Sequence, residues 1–581
     1  MNSLPQEIVD RISDYLDSAG LRQVLTVSRA FQHSVEKVFL REFSLREDNA
    51  DEFLRLYTGD RFQYLHHVRF MPIFPKLVCG TGGRTEWEEN CRDRLEDLLE
   101  KDISYTRQMN FLFETLKRLE DSVGREKAAG KLRLTTYPPR RAIDWPCLHR
   151  TCVCWRVHLL HPETLPQLSS IQNLLFMDGD RVYGSYFNSL NGKHAEDHLP
   201  LQPPAKLDLR ILLDIACKLP NLERLDCSFN SYIWGMTMNH YATQHFTQDW
   251  AGPHRDTRHD FARSLDTTVL PSSLKQVYLN LHRRPHIEHG RDQREPLPDF
   301  IHPHSYDPFS TSLRLLSYHL SRIVLRVIAD KTLFWPADET TPHWPNLRIV
   351  DVRFISASPS GAWYFQGPQG EGHSTSPGYE ITKEHYLPLE KDTTDLKYDA
   401  RPGVDASTSD NQFRVLPIEE TLRPFLASFA RAATCMPLLQ KALLWTNLEF
   451  RPSEAFPNYE ERIAEIKEKF EEPEERGVIF WGIGYSSPGE QIEIHGMGLE
   501  DCAQRQLYWL VHDWQPDEAL RSLFRDIGLQ DHGSEVIEHW SSTKAKTWLS
   551  SRLHYDTDVE EYPLLKDHQA KSKIVFNFPS Q

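Results

Sequence analysis

The chain has 581 residues, 39% hydrophobic and 26% charged, with 14 Trp, 21 Tyr and 29 Phe, a profile that excludes a largely disordered chain, whose signature is few aromatics and dense charge. Its length is several times that of one ordinary domain, and a net charge of −16 excludes broad electrostatic binding to nucleic acid or to an anionic membrane surface. No run of about 18 apolar residues is present, so no membrane-spanning helix is expected, and nine unevenly spaced cysteines without a basic-then-apolar leader point to a reducing compartment, cytoplasmic or nuclear.

The first segment reads as helical. Ser3 is a helix N-cap candidate with Gln6 three residues on, and Pro5 falls in the first turn, where its missing N–H costs nothing. A helix is therefore predicted from near Leu4, with Val9, Ile12, Tyr15 and Leu16 following Ile8 at offsets of one, four, seven and eight on one stripe. Ser18, Ala19 and Gly20 break that pattern. A second apolar series follows at Leu21, Val24, Leu25 and Val27, and a third at Phe31, Val35, Val38 and Phe39. Three short amphipathic helices cannot bury all these faces among themselves, so part of the surface is expected to meet a partner or the next domain.

In order and spacing, Leu4-Pro5, Glu7-Ile8, Ile12, Leu16, Leu21, Val27-Ser28-Arg29 and Phe31 resemble the F-box consensus. Ser28 and Phe31 stand where Cys and Trp are commoner in that family. The resemblance implies a receptor that docks on the Skp adaptor, which links it to a cullin scaffold. It also implies that Leu4, Pro5, Ile8, Ile12, Leu16 and Leu21 carry the contact. The other reading of the same residues is a helical cap that hides the apolar end of a repeat stack.

The body of the chain carries a recurring phrase in which spaced leucines lead into an alternating strand. The clearest copy runs from Leu219 through Leu222 and Leu225 to Asn230, and it resembles a leucine-rich repeat. Weaker copies occupy Leu165 to Phe176, Leu270 to Leu281, Trp344 to Phe354 and Met436 to Leu444. Helices are predicted over Leu209 to Cys217 and Glu420 to Thr434, ahead of two of the strands. The spacings are 54 residues from Ile171 to Leu225, then 52 to Val277, 73 to Val350 and 92 to Ala442, far above the roughly 20 to 29 of regular repeats. Long insertions must interrupt such an array, and the loops 178–206, 231–262 and 282–310 are the candidates for holding a client. Residues 356–412 are rich in Ser, Gly, Pro, Asp and Thr and are expected to be partly mobile, with Trp363-Tyr364-Phe365 docked on the array because three adjacent aromatics offer too much apolar area to stay in water. The alternative is a non-repetitive α/β domain with ordinary parallel strands.

Beyond residue 456 the pattern changes to a charged helix from Tyr459 to Glu472, strands at Val478 to Tyr485, Gln491 to His495 and Gln506 to Trp514, and a helix from Asp517 to Ile527. The stretch from Arg505 to Pro516 resembles the C-terminal ends of fungal F-box-like proteins. Chemistry is poorly signalled. Cys147, His149, Cys152, Cys154, His158 and His161 lack a Cys-x-x-Cys knuckle, and His282, His286 and His289 lie beside Pro285 and Gly290, so neither set is expected to hold zinc. Gly482, Gly484 and Gly489 lack a following Walker lysine, and no nucleophile elbow, His-Glu-x-x-His or kinase set occurs.

The expected architecture is thus α/β: an N-terminal three-helix F-box over 1–45, an irregular leucine-rich-repeat-like solenoid with long insertions over 46–455, and a small α+β end piece over 456–581. The expected function is the substrate-recognition subunit of an SCF-type (Skp-cullin-F-box) E3 ubiquitin ligase. It is not itself an enzyme and has no cofactor or metal. Its partners are the Skp adaptor, the cullin scaffold and a protein client, with neither nucleic acid nor membrane. The alternative is a non-catalytic scaffold in which the first helices only cap the solenoid.

Overall fold

A computed structural model describes residues 4–75, 95–141, 155–177, 205–228, 250–281, 292–386, 411–450, 461, 478–490, 492, 503–512, 514–533 and 535–540. Three helices open it: α1 (Gln6–Asp14), α2 (Ser18–Val24) and α3 (Arg29–Phe39). Ser3 lies outside the described residues, and α1 starts directly after Pro5. Ser18, Ala19 and Gly20 do not break the helical run as expected. They form the first turn of α2 because Asp17 caps it, its carboxylate accepting the Gly20 N–H at 2.8 Å. Ser28 caps α3 in the same way through Phe31 N–H.

Strands follow, many of them joined through helices. The strands are β1 (Glu42–Leu45), β2 (His67–Phe70), β3 (Leu132–Thr136), β4 (Ile171–Phe176), β5 (Arg224–Ser228), β6 (Gln276–Asn280), β7 (Arg322–Val327), β8 (Ile349–Phe354), β9 (Lys441–Glu449), β10 (Val478–Ser486), β11 (Arg505–Leu510) and β12 (Val536–Trp540). All twelve form one sheet whose spatial order is the chain order. Pairing is parallel from β1 through β9, antiparallel for β9–β10 and β10–β11, and parallel again for β11–β12. The connections carry α4 (Ala50–Tyr57), α5 (Leu95–Val123), α6 (Arg210–Ala216), α7 (Ala251–Thr267), α8 (Pro308–Ser317), α9 (Glu419–Thr434) and α10 (Glu518–Arg525). Among these, α4 packs on α5, α6 on α7, α7 on α8 and α9 on α10.

The five strands expected from the repeat phrase are all present, and the pairing shows which spacings were in register. Leu225 stands opposite Val277, and Val350 opposite Ala442. The first spacing is corrected, because Leu225 faces Leu174 and not Ile171. The long third interval contains an unexpected strand, β7, with Ile323 between Val277 and Val350. Its segment carries the same phrase, because Leu316, Leu320, Ile323 and Leu325 repeat the offsets of Leu270, Leu274, Val277 and Leu279, so a sixth copy lies in that interval. Part of the expected loop 231–262 is helix α7, whose apolar face is narrow: Phe261 and Ala262 are buried among His, Arg and Asp residues. The charged helix from Tyr459 and the strand from Gln491 fall almost wholly outside the described residues. The strands from Val478 and Arg505 extend the same sheet.

Strand alternation sorts the side chains into two faces. Val68, Leu134, Leu174, Leu225, Val277, Ile323, Val350 and Ala442 form one register row, and Phe70, Phe176, Leu279, Leu325, Val352 and Leu444 lie in another. Both rows belong to a continuous core with Leu112 and Leu116 of α5, Leu213 of α6, Phe261 of α7, Phe309 and Leu313 of α8, and Phe425 and Phe429 of α9. Tyr364 and Phe365 join that core, and the Tyr364 hydroxyl donates to Ala329 O at 2.8 Å.

Consecutive helices are interlocked by a buried ion pair. Arg258 of α7 reaches Asp307, the N-cap of α8, at 2.6 Å, and both side chains are essentially fully buried. Asp307 also accepts the Ser310 N–H at 3.0 Å, and Arg258 donates to Ile328 O at 3.3 Å. Half-buried Asp330 sits nearby, accepting from Thr332 N–H and Oγ1. Lost hydration, followed by the charge of Asp307, pushes its carboxyl up to about 6.

Two predictions follow from this network. Asp307→Ala leaves Arg258 buried without its counter-charge and is expected to destabilise the fold by about 3–5 kcal/mol in denaturant melts. Asp330 behaves oppositely: its raised pKa makes its contribution to stability fall as pH rises through the window from about 4 to 6. Asp330→Asn should therefore be the more stable form at pH 7, by on the order of 1 kcal/mol after allowance for solvent screening. Paired thermal melts should show the advantage disappearing near pH 4.

Candidate functional site

Helix α1 carries two different faces. Leu4, Ile8, Ile12 and Tyr15 recur at intervals of four, four and three and are 42, 44, 38 and 81% exposed, so they form one apolar stripe open to solvent. The opposite face buries Val9 and Ser13. This splits the single stripe expected from the sequence, since Val9 and Ile8 point to different sides. Pro5, also exposed, leads into the helix.

The inward face is tied to α3 by polar contacts at its rim. Gln6 Nε2 donates to Ala30 O at 3.1 Å and to Asp10 Oδ1 at 2.8 Å, and Lys37 Nζ reaches Asp10 Oδ2 at 2.9 Å. Burial pushes the Asp10 carboxyl up, but hydrogen bonds from Lys37 and Gln6 outweigh it and hold the group below its ordinary value. Val9, Leu21, Phe31 and Val35 are buried between the three helices and stand apart from the continuous core of the sheet. Of the six residues assigned to adaptor contact, Leu4, Pro5, Ile8 and Ile12 lie on the surface. Leu16 is half-buried and Leu21 is fully buried. Leu21 is therefore a core residue of the helical segment, because α2 turns it toward α3.

Helix α3 fastens this segment to the sheet. Glu36 pairs with Arg61 at 2.8 Å, His33 Nδ1 meets the Tyr64 hydroxyl, and the Tyr57 hydroxyl donates to Leu40 O at 2.9 Å. The outer face of α1 takes no part in these contacts.

A second concentration of functional groups occupies the sheet face turned away from the helices. Arg224 chelates Asp226 and lies 4.1 Å above the Tyr278 ring, which Arg322 approaches to 5.1 Å. Two strands on, Arg326 pairs with Asp351 at 2.9 Å, Trp445 Nε1 donates to the same carboxylate at 2.8 Å, and Arg326 and Arg353 flank the Trp445 ring at 4.9 and 5.8 Å. The arginines satisfy carboxylates and aromatic faces together, which suits a guanidinium better than an ammonium. Gly482 keeps this ladder tight, since a Cβ there would lie 2.7 Å from Trp445 Cβ. None of these residues stood out in the sequence. The signal available was an Arg or Asp at alternate positions of each strand, as in Arg224-Leu225-Asp226 and Asp351-Val352-Arg353.

Of the residues weighed for zinc, Cys147, His149, Cys152 and Cys154 lie outside the described residues, as do His282, His286 and His289. His161 is exposed beside Glu163 at 3.3 Å. His158 has other neighbours: Asp102 at 3.5 Å from Nδ1 and Asp208 at 3.6 Å from Nε2. No helix among the described residues is long and apolar enough to cross a membrane.

No family model matches the chain, and no curated protein matches it in sequence.

The two faces of α1 predict opposite responses to the same substitution. Ile8→Asp and Ile12→Asp should leave the fold intact, with stability within about 0.5 kcal/mol. Leu21→Asp buries an unpaired charge and should melt the helical segment. Amide hydrogen exchange across 4–40 checks both, with loss of protection expected only in the Leu21 variant.

Proposed function

We propose that the chain is an F-box protein: the substrate-recognition subunit of an SCF-type E3 ubiquitin ligase, docking on the Skp adaptor through its first helices and holding a protein client on the body. The observation that carries this reading is the exposed pair Ile8 and Ile12 on a helix whose other face is buried, with exposed Leu4 and Pro5 leading into it. These are residues the F-box resemblance assigns to the adaptor, and apolar side chains of this size each contribute on the order of 1.5–3 kcal/mol when buried. The stripe also favours docking over capping, because a helical cap turns its apolar side toward the stack it covers. Leu21 and Leu16 act beneath this surface by holding α1 and α2 in place.

The body is read as an irregular leucine-rich-repeat-like solenoid. Support comes from nine parallel strands in unbroken chain order, backed by helices that pack on their neighbours, which is the nearest-neighbour construction of a repeat array. The connections between strands are the regions we assign to the client. On this reading catalysis belongs to partner subunits, and the protein acts by raising the effective concentration of a client lysine near the charged ubiquitin carrier. Its place is the cytoplasm or the nucleus.

Calorimetric titration of the purified chain with the Skp adaptor tests the reading, beside a variant carrying Pro5→Ala, Ile8→Asp and Ile12→Asp whose folding is checked by circular dichroism. Saturable binding by the intact chain, weakened at least 100-fold in the folded variant, is the expected result, since two hot-spot residues are removed. No binding by the intact chain would reduce the helices to a structural cap and the protein to a scaffold.

A further inference from the structure

Four chain segments that are far apart in sequence meet at His158. His158 and Asp208 each follow directly on one strand of a short parallel pair, Arg156–Val157 with Lys206–Leu207, and the Asp208 N–H donates to Val157 O at 2.9 Å. Asp102 comes from α5 and Asp260 from α7. One ligand atom from each of His158, Asp208 and Asp260 falls within a common 4.8 Å. Asp208 is only 2% exposed; its Oδ1 accepts the Arg210 N–H at 2.8 Å, and its Oδ2 lies 3.6 Å from His158 Nε2.

We propose that this cluster binds one divalent transition-metal ion of the zinc class, with His158, Asp208 and Asp260 as ligands and Asp102 as the positioning residue. Three features of the geometry carry it. The Asp208 Oδ2 to His158 Nε2 separation of 3.6 Å is too long for a hydrogen bond. It is close to the edge of about 3.4 Å between ligand atoms arranged tetrahedrally around an ion at about 2.1 Å. Asp102 accepts the His158 backbone N–H at 2.9 Å, which holds the residue in place, and its other oxygen stands 3.5 Å from Nδ1, on the side of the ring away from Nε2, where a carboxylate can orient a metal-bound histidine. The site is also accessible, since the His158 side chain is half exposed and Asp260 meets solvent beside Arg263.

In the metal-free protein the same carboxylates favour the imidazolium: the Asp102 interaction first, opposed by burial and supported by the charges of Asp208 and Asp260, holds the His158 pKa above its ordinary value. A metal ion and a proton compete for one site, and binding expels the proton. Three protein ligands leave a coordination position for water. The ion joins the short parallel pair to α7, so its effect is to brace the connections on both sides of β4 and β5, and Asp102 ties α5 to them through His158.

Co²⁺ titration of the full chain, followed by visible absorption, and Zn²⁺ calorimetry test this. Expected are one equivalent bound, d–d bands of nitrogen and oxygen ligation, and an affinity that falls as pH drops and His158 protonates. His158→Gln and Asp260→Asn should each weaken binding at least tenfold, and Asp102→Asn by about 10–100-fold. Asp260 is partly exposed and its amide is isosteric, so that variant keeps the test intact if His158→Gln fails to fold. The proposal is overturned by absence of saturable binding, by binding unchanged in Asp260→Asn, or by an intense thiolate-to-cobalt charge-transfer band, which would place the ion on cysteines instead.

Discussion

A parallel strand satisfies its backbone only through its neighbours, and here each neighbour is the next strand in the chain. That constraint organises everything between Glu42 and Glu449. Each connection must leave one end of a strand, travel the strand's length and return, which requires a crossover of a dozen residues or more. Those crossovers supply the helices, and the helices supply the second wall of the core. The register rows through Leu174, Leu225, Val277, Ile323 and Val350 pack against Leu213, Phe261, Phe309 and Leu313. Neither wall is stable without the other, because a sheet with one apolar face must cover it.

Polar groups at the layer boundaries then set the spacing between units. The Arg258–Asp307 pair joins two helices, and Asn221 Nδ2 donates to Ser169 O at 2.7 Å between adjacent turns of the array. On the other face of the sheet the Arg326–Asp351–Trp445 group spans three strands. Such buried pairs add little net stability over an apolar core but penalise misalignment, since any slip leaves a charge unmatched. Past β9 one strand, β10, runs antiparallel, and β11 and β12 return to the common direction. There Trp509 stacks on Trp540 at 5.1 Å while Arg521 and Arg525 both hold Glu538, covering the last strand with side chains.

The opening helices obey a different rule. Their small core of Val9, Leu21, Phe31 and Val35 is separate from the main one, and α3 bonds to the segment that follows through Glu36 and His33. A short segment with an outward apolar stripe is marginal by itself, and the stripe gains its free energy only when something covers it. This is the physical basis for reading α1 as a docking element and the sheet as the body that presents it.

Local patterns were enough to find the strands at 171–176, 224–228, 276–280, 349–354 and 441–449 and the helices at 210–216 and 419–434, because each alternates or repeats its apolar residues over its own length. The same information implied parallel α/β architecture and an amphipathic α1. Helix α7 escaped because its apolar residues are few and its burial depends on partners far along the chain, as with Arg258 and Asp307; strand β7 carries the same leucine phrase as its neighbours and was legible in the sequence. Which side of α1 faces water was undecidable from periodicity, since Ile8 and Val9 both fit a stripe and only α3 selects between them. The meeting of His158 with Asp102, Asp208 and Asp260, and of Arg326 with Trp445, has no local signature at all. Sequence by itself determined the opening helices and the strands and helices of the leucine phrase, through short-range periodicity and capping, and left β1–β3, α4, α5 and α8 unassigned; tertiary structure decided register, exposure and site, because those depend on which distant residues the crossovers bring side by side.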